Sequence, residues 1–295
     1  MITLKNVRVT GFSRYYYDIY WEIENTRSDL QEYEFYVERS EAEAGPWVQM
    51  AGPLIDRFYI RDNEVPLISA NRTLFYRVKV RHPMSGKVEY SDIVDRWGKE
   101  DKIAAEIIRL ETMLFQEFVG TVGWLFPRRT FGQRCPQCWD EVLQKRIDDQ
   151  CPTCFGTGFS GGYHYPIQFF AQVDESEMTE QATVHDHNQQ RMFRFRCPAS
   201  PEVRPMDLFI DSHNRRMRVV RVGGTTRLLV TVHQEIDAVA LQPGSIEDSV
   251  PLHVDEEDLQ TAGWRNYVNA QCLESAGVTP TDALGPLLGA YGYDP

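Results

Sequence analysis

The chain has 295 residues, and its 31 Lys and Arg against 43 Asp and Glu give a net charge of −12. Its 42% hydrophobic and 25% charged residues are ordinary for a globular protein, and this length suits about two domains. The acidic balance argues against a general nucleic-acid coat. No apolar run approaches the ~18 residues that span a bilayer, and the first residues lack a signal-peptide core, so the expectation is a chain without membrane contact that folds in a cytosol.

Residues 1–97 read as strands. Leu4–Val9, Tyr16–Ile23, Tyr33–Glu38, Trp47–Met50, Arg57–Ile60, Leu74–His82 and Lys87–Val94 are β-branched or aromatic and often alternate, with turn residues such as Gly45-Pro46, Gly52-Pro53, Asn63 and Gly86 between them. About seven short strands so punctuated predict an antiparallel sandwich, with Trp21 on an inward position. The segment from Leu67 to Val80, ending in Tyr76-Arg-Val-Lys-Val, then Gly86 and Ser91, resembles the later strands of a fibronectin type III domain. That resemblance implies a core anchored by an equivalent Trp and Tyr, and a role as a spacer or adhesion module. Glu32, Glu34, Glu38, Glu41 and Glu43 read as a solvated face.

Trp97-Gly98 marks a boundary, and Lys99 to Val119 reads as a helix. Ile103, Ile107, Leu110, Leu114 and Phe118 recur at three- and four-residue steps and make one apolar stripe. Glu100, Asp101 and Glu106 sit early, where the helix dipole favours acids, and Gly120 and Gly123 stop it. Apolar residues continue as Val122, Trp124, Leu125 and Phe126. A helix this apolar needs a cover, from the sandwich or a neighbouring subunit. Arg128, Arg129 and Arg134 then form a local basic patch, suited either to acidic groups of a partner subunit or to a phosphate backbone.

Two Cys-x-x-Cys hooks follow, Cys135/Cys138 and Cys151/Cys154, with twelve residues between them. This spacing is the pattern of a structural zinc site. Two intervening residues let a tight turn aim both thiolates of a hook at one ion, and two hooks complete a tetrahedron. Two disulfides or a redox pair are the rival readings, and a cytosol, which keeps thiols reduced, favours metal. Gly156 and Gly158 allow the positive φ needed where backbone folds back toward sulfur. Trp139 is placed to shield the thiolates, and Asp140 to Gln150 reads as a polar ribbon or a turn of helix. A site with all four positions filled by protein leaves none for a substrate. The glycine-rich stretch Phe155 to Tyr163 lacks the Lys-Ser/Thr of a phosphate loop.

From Tyr165 to about Ala240 the chain is again strand-like. Asp211-Ser-His-Asn214 reads as a turn joining Leu208-Phe-Ile to the strand from Arg216, and Gly223-Gly224 as the next turn. The arginines Arg191, Arg194, Arg196, Arg215, Arg216, Arg218 and Arg221 concentrate here. Alternate strand positions share a face, so Arg194/Arg196 and Arg216/Arg218 are candidates to line one surface, for salt bridges to a subunit or for phosphate. His185 and His187 lack a third ligand nearby and read as solvated. Cys197 and Cys272 read as buried small hydrophobes. Beyond Gln242 an acidic segment, Glu247, Asp248 and Asp255 to Asp258, leads into an apolar tail that reads as an arm ordered by lying on a partner.

The hairpin around Asp211 resembles one common in small β-barrel proteins at the head–tail junction of tailed phages. The block from Leu125-Phe-Pro-Arg-Arg-Thr-Phe-Gly-Gln-Arg-Cys-Pro-Gln-Cys-Trp-Asp through Cys-Pro-Thr-Cys-Phe-Gly-Thr-Gly to Ile167 resembles a segment of virion structural proteins of tailed bacteriophages. The resemblance implies a structural, non-enzymatic protein of the neck or collar, made in the host cytoplasm and carried in the virion. Its implied partners are portal, connector, tail or collar subunits and further copies of itself in a ring, with the cysteines carried over as zinc ligands. A baseplate or tail protein, a zinc-ribbon nucleic-acid-binding protein and a hydrolase are the alternatives, the last without any catalytic motif. The expected architecture is mainly β: a fibronectin III-like sandwich at 1–97, a linker helix at 98–126, a zinc-ribbon-like knuckle at 127–165, a small antiparallel barrel or sandwich at 166–242 and an extended arm at 243–295. The knuckle then reads as a joint between two β modules.

Overall fold

The computed structural model describes residues 2–13, 15–24, 32–65, 73–95, 102–174, 180–183, 186–211, 214–228 and 230–252, with backbone alone for 102, 174, 180–183 and 186–191. The boundary at Trp97-Gly98, Glu100, Asp101, His185, Cys272 and the arm beyond Leu252 lie outside the described residues, as do the side chains of His187 and Arg191. Within them the chain is mainly β. In order come β1 (Leu4–Thr10), β2 (Tyr17–Ile23), β3 (Glu34–Ser40), β4 (Val48–Leu54), β5 (Tyr59–Asp62), β6 (Phe75–Arg81), β7 (Val88–Tyr90), β8 (Val94–Asp95), helix α1 (Lys102–Leu114) and a π-turn (Phe115–Val119). Then follow β9 (Thr121–Phe126), β10 (Trp139–Asp140), β11 (Lys145–Arg146), β12 (Ile167–Asp174), β13 (Glu180–Thr183), β14 (Asp186–Pro198), β15 (Leu208–Asp211), β16 (Arg216–Arg227), β17 (Val230–Ala240) and a 3-10 turn (Ile246–Ser249).

The chain forms two compact units. The first holds Met1–Met113, Arg128–Tyr165 and Thr225–His233, the second Leu114–Pro127, Pro166–Gly224 and Gln234–Pro295.

In the first unit a sheet of order β1-β2-β5 shares one core with a sheet of order β4-β3-β6-β7, in which β8 also pairs with β6. This is the antiparallel sandwich its alternation predicts. On β6 alternate residues, Tyr76, Val78 and Val80, point inward. Trp21 is 1% exposed and meets Phe35 with ring centroids 6.2 Å apart. Tyr76 is fully buried, and its hydroxyl donates to Asp62 at 2.9 Å, which satisfies its polar end. One expectation fails on this sandwich. Glu38 is buried, not solvated, because it lies directly across from Arg77 and takes an ion pair at 2.6 Å.

The helix corrects two further expectations. Its α-helical part ends at Leu114 and widens into the π-turn, closed by the Gly120 N–H on Phe115 O at 3.0 Å. Its buried positions are Ala104, Ile108, Thr112 and Phe115, whereas the expected core stripe is turned outward, with Ile103, Leu110, Leu114 and Phe118 exposed. The helix carries apolar residues on two faces, so hydrophobic spacing alone could not choose between them.

The residues Val122, Trp124, Leu125 and Phe126 belong neither to the helix nor to a linker. They form β9, which lies between β12 and β15 in the second unit. The order β12-β9-β15-β16-β17-β14, closed by β14 on β12, makes a six-stranded barrel, and β13 extends β14 outside it. Leu125, Phe169, Phe195, Phe209, Val219 and Ile236 are among the side chains that fill its interior. Cys197 is one of these buried groups, as its composition suggests. Gln234 organises one end by accepting from Val203 N and donating to the carbonyls of Pro198 and Pro201. Gly123 on β9 has no room for a side chain: a Cβ there would stand 2.6 Å from the Phe209 ring and 2.7 Å from Ile210 O. Gly223 on β16 meets only Glu235 O at 3.9 Å. Gly123→Ala is therefore expected to cost ~1–3 kcal/mol of stability by overpacking, with Gly223→Ala within about 0.5 kcal/mol of wild type. Thermal unfolding of the two variants checks this.

Candidate metal centre

The segment from Arg128 to Tyr165 has little apolar material of its own. Its one buried hydrophobic cluster is Cys135, Cys138, Cys151 and Cys154, all at 2% exposure or less. The four sulfur atoms lie within 4.8 Å of one another. Cys135 Sγ is 3.8 Å from Cys151 Sγ, and Cys138 Sγ 3.2 Å from Cys154 Sγ, so the contacts run across the hooks and none is a disulfide. The cluster can hold a metal ion.

Local backbone chemistry explains how the hooks form. Each turns back on itself, with Trp139 N–H on Cys135 O at 3.2 Å and Phe155 N–H on Cys151 O at 2.9 Å. Cys135 N–H donates to Gly158 O at 3.0 Å, and Arg134 pairs with Phe159 across an isolated bridge, zipping one hook to the loop after the other. That loop needs its glycines: Gly156, Gly158 and Gly162 take φ of 73°, 81° and 70°, and a Cβ on Gly162 would stand 2.8 Å from Cys154 O. The stretch between the hooks is a ribbon, β10 on β11, with Trp139 opposite Arg146 and Asp140 opposite Lys145.

The thiols are unequal. Burial raises Cys135 and raises Cys138 further, to well above the usual thiol range, where hydrogen bonds with Cys154 and Cys135 add to it. At Cys151 burial also pushes upward, but the backbone N–H groups of Thr153 and Cys154 outweigh it and bring the thiol down to about 7. A thiolate is thus more available at Cys151 than at Cys135 or Cys138. A bound cation would stabilise the thiolate form at all four.

The centre is fastened to the sandwich in the same unit. Arg129, 8% exposed, donates through Nη1 to Asp56 at 2.7 Å and through Nε to Tyr163 O at 2.9 Å. Phe131 meets Phe58 edge-on at 4.9 Å and lies beside His164 at 4.6 Å. Arg57 stacks on Tyr165 at 3.7 Å. Sequence reasoning gave no role to Asp56, Phe58 or His164, since no local pattern ties them to cysteines so far along the chain. The knuckle therefore belongs to the same compact unit as the sandwich.

The five arginines singled out as partner or phosphate contacts all have partners within the chain. Arg128 Nη2 donates to Gly156 O at 3.2 Å. Arg129 is bound as described above. Arg134 lies 3.8 Å over the Trp139 ring and 4.2 Å over Phe159. Trp139 thus carries a guanidinium, a use the sequence did not suggest. In the second unit Arg218 pairs with Glu247 at 3.1 Å, and Arg216 reaches Asp248 at 3.9 Å and the Val250 carbonyl. These acids open the C-terminal arm, whose first residues fold onto the same barrel with Val250 and Leu252 buried. Arg194 pairs with Asp237.

Among the described residues no helix is long and apolar enough to cross a membrane. No protein-family model matches the chain. A comparison with curated proteins finds no match either.

The Asp56 carboxyl lies above the usual carboxylate range, because burial raises it more than the Arg129 guanidinium lowers it. A carboxyl raised in the folded state contributes stability that is present below its unfolded pKa and is lost as pH rises through the folded value. At neutral pH the pair therefore fixes position more than it adds stability. Asp56→Ala, which strands a buried guanidinium, is expected to cost about 2–4 kcal/mol. The double variant Asp56→Leu/Arg129→Met should lose less than the sum of the two single changes. Urea unfolding followed by tryptophan fluorescence measures the cycle, and strict additivity would contradict the coupling.

Proposed function

We propose that this chain is a non-enzymatic structural component of a tailed-bacteriophage particle, a neck or collar protein at the head–tail junction that assembles with copies of itself as a ring, and that its cysteines hold zinc for shape alone. The observation that carries the structural part is the closed cluster. For Zn–S bonds of about 2.3 Å, a tetrahedron has edges of about 3.8 Å, the separation of Cys135 and Cys151 sulfurs. Four protein thiols complete that coordination and leave no position for a substrate. Zinc there supplies the attraction that draws four thiolates together, and binding free energy in such modules is folding free energy. The backbone donors at Cys151, the zipped hooks and the Arg129 anchor then hold the segment in register.

The phage assignment draws on the resemblance of the block from Leu125 to Ile167 and of the hairpin β15–β16. A β-sandwich and a filled β-barrel suit a part whose product is shape. The outward stripe of Ile103, Leu110, Leu114 and Phe118 is apolar surface of the kind that subunit contacts cover. The nucleic-acid reading is weaker, because Arg128, Arg129 and Arg134 already have partners inside the chain.

Gold-labelled antibody against residues 1–97, applied to purified particles and viewed by negative stain, tests the location. Label at the head–tail junction is the expected result. Label at the distal tail end would move the chain to the baseplate, and particles without label would overturn the virion assignment.

A further inference from the structure

Between the hooks the chain leaves the cluster along β10 and returns along β11, and the turn joining them is firmly built. Asp140 Oδ1 accepts the backbone N–H groups of Val142 at 2.8 Å and Leu143 at 3.0 Å. Gln144 Nε2 donates to Glu141 O at 2.7 Å. The returning strand is pinned to the first hook by Ile147 N–H on Cys138 O at 2.8 Å. On this frame three large aliphatic side chains stand in solvent: Val142 is 91% exposed, Leu143 59% and Ile147 70%. A turn with no further role is ordinarily polar.

The charges around them are one-sided. Residues 140–149 carry four carboxylates, on Asp140, Glu141, Asp148 and Asp149, against Lys145 and Arg146. Arg146 is already held by Asp149 at 2.5 Å. The aliphatic side chains have no apolar cover, and four carboxylates against two cations leave the tip with a net charge of −2.

We propose that this tip is a docking knob for another protein, one that offers an apolar hollow bordered by lysine or arginine. Charge complementarity selects that partner and sets its orientation. The turn is fixed before binding, so little chain entropy is lost on docking, and the aliphatic side chains act as central anchors within a charged rim. The same carboxylates repel a phosphate backbone. The inference rests on the ribbon, and on the metal reading only in that the cluster anchors both its ends.

The test uses the full chain with isotope-labelled Val, Leu and Ile methyl groups. It is titrated with a synthetic amphipathic peptide bearing a leucine face flanked by lysines, and with a matched peptide in which glutamates replace the lysines. The lysine peptide is expected to shift the methyl resonances of Val142, Leu143 and Ile147 saturably, and to bind at least about tenfold more tightly than the glutamate peptide. The variant Val142→Ser/Leu143→Ser should weaken that binding about tenfold or more. No shift at these methyls, shifts spread over acidic surface elsewhere, or unchanged affinity in the variant would overturn the proposal. So would a DNA duplex that moves the same resonances. Metal content measured on the same samples scores the cysteine centre separately, so failure of the knob and failure of the centre are told apart.

Discussion

Four buried sulfur atoms are the constraint on which the middle of this chain depends. A folded segment needs an interior, and between Arg128 and Tyr165 it is built around Cys135, Cys138, Cys151 and Cys154, with Phe159 and Tyr163 also buried. Four thiols in van der Waals contact bury too little apolar surface to offset the entropy of ordering the loops around them. A metal ion bound among them would change that balance, because it would convert weak thiol contacts into bonds of fixed length. The positive-φ glycines, the backbone donors at Cys151 and the bridge from Arg134 to Phe159 follow from the need to aim four sulfurs at one point.

The cluster's influence spreads outward through the residues beside it. Just ahead of the first hook, Arg129 and Phe131 reach the loop before β5 at Asp56 and Phe58, and His164 and Tyr165 close the contact after the second hook. Sandwich and knuckle therefore belong to one compact unit, and disorder at the cysteines is expected to be felt at Phe58, whose ring also packs on Trp21 and Phe35. The same cluster also anchors the ribbon that carries Val142, Leu143 and Ile147, through Ile147 N–H on Cys138 O. One centre thus fixes an inner attachment and an outer tip.

How much of this was legible in the sequence depended on the range of the interaction. The hooks were read directly, because ligand spacing is local chemistry. The sandwich was also legible, since β6 alternates cleanly, β2 and β3 alternate over part of their length, and Trp21 and Tyr76 fall on inward positions. The helix misled, because Ile103, Leu110 and Leu114 repeat as regularly as Ala104 and Ile108, and tertiary packing chose the second set. Strand β9 was missed for a related reason: Trp124, Leu125 and Phe126 are all buried, and a short continuous apolar run has no period to distinguish strand from helix. The arginines were read as contacts for a partner subunit or for phosphate because their acids, Asp56 and Glu247 among them, lie far away or in a segment that looked like a tail. Pairings of that kind carry no local signature.

The central claim is that the cysteine cluster is a metal-held structural core. Native mass spectrometry of the full chain, compared with the same sample denatured in acid, tests it most directly. The expected result is one zinc ion per folded chain, lost on denaturation, with every cysteine recovered as free thiol. A folded chain that carries no metal, with the four cysteines oxidised to disulfides or freely reactive, would contradict it.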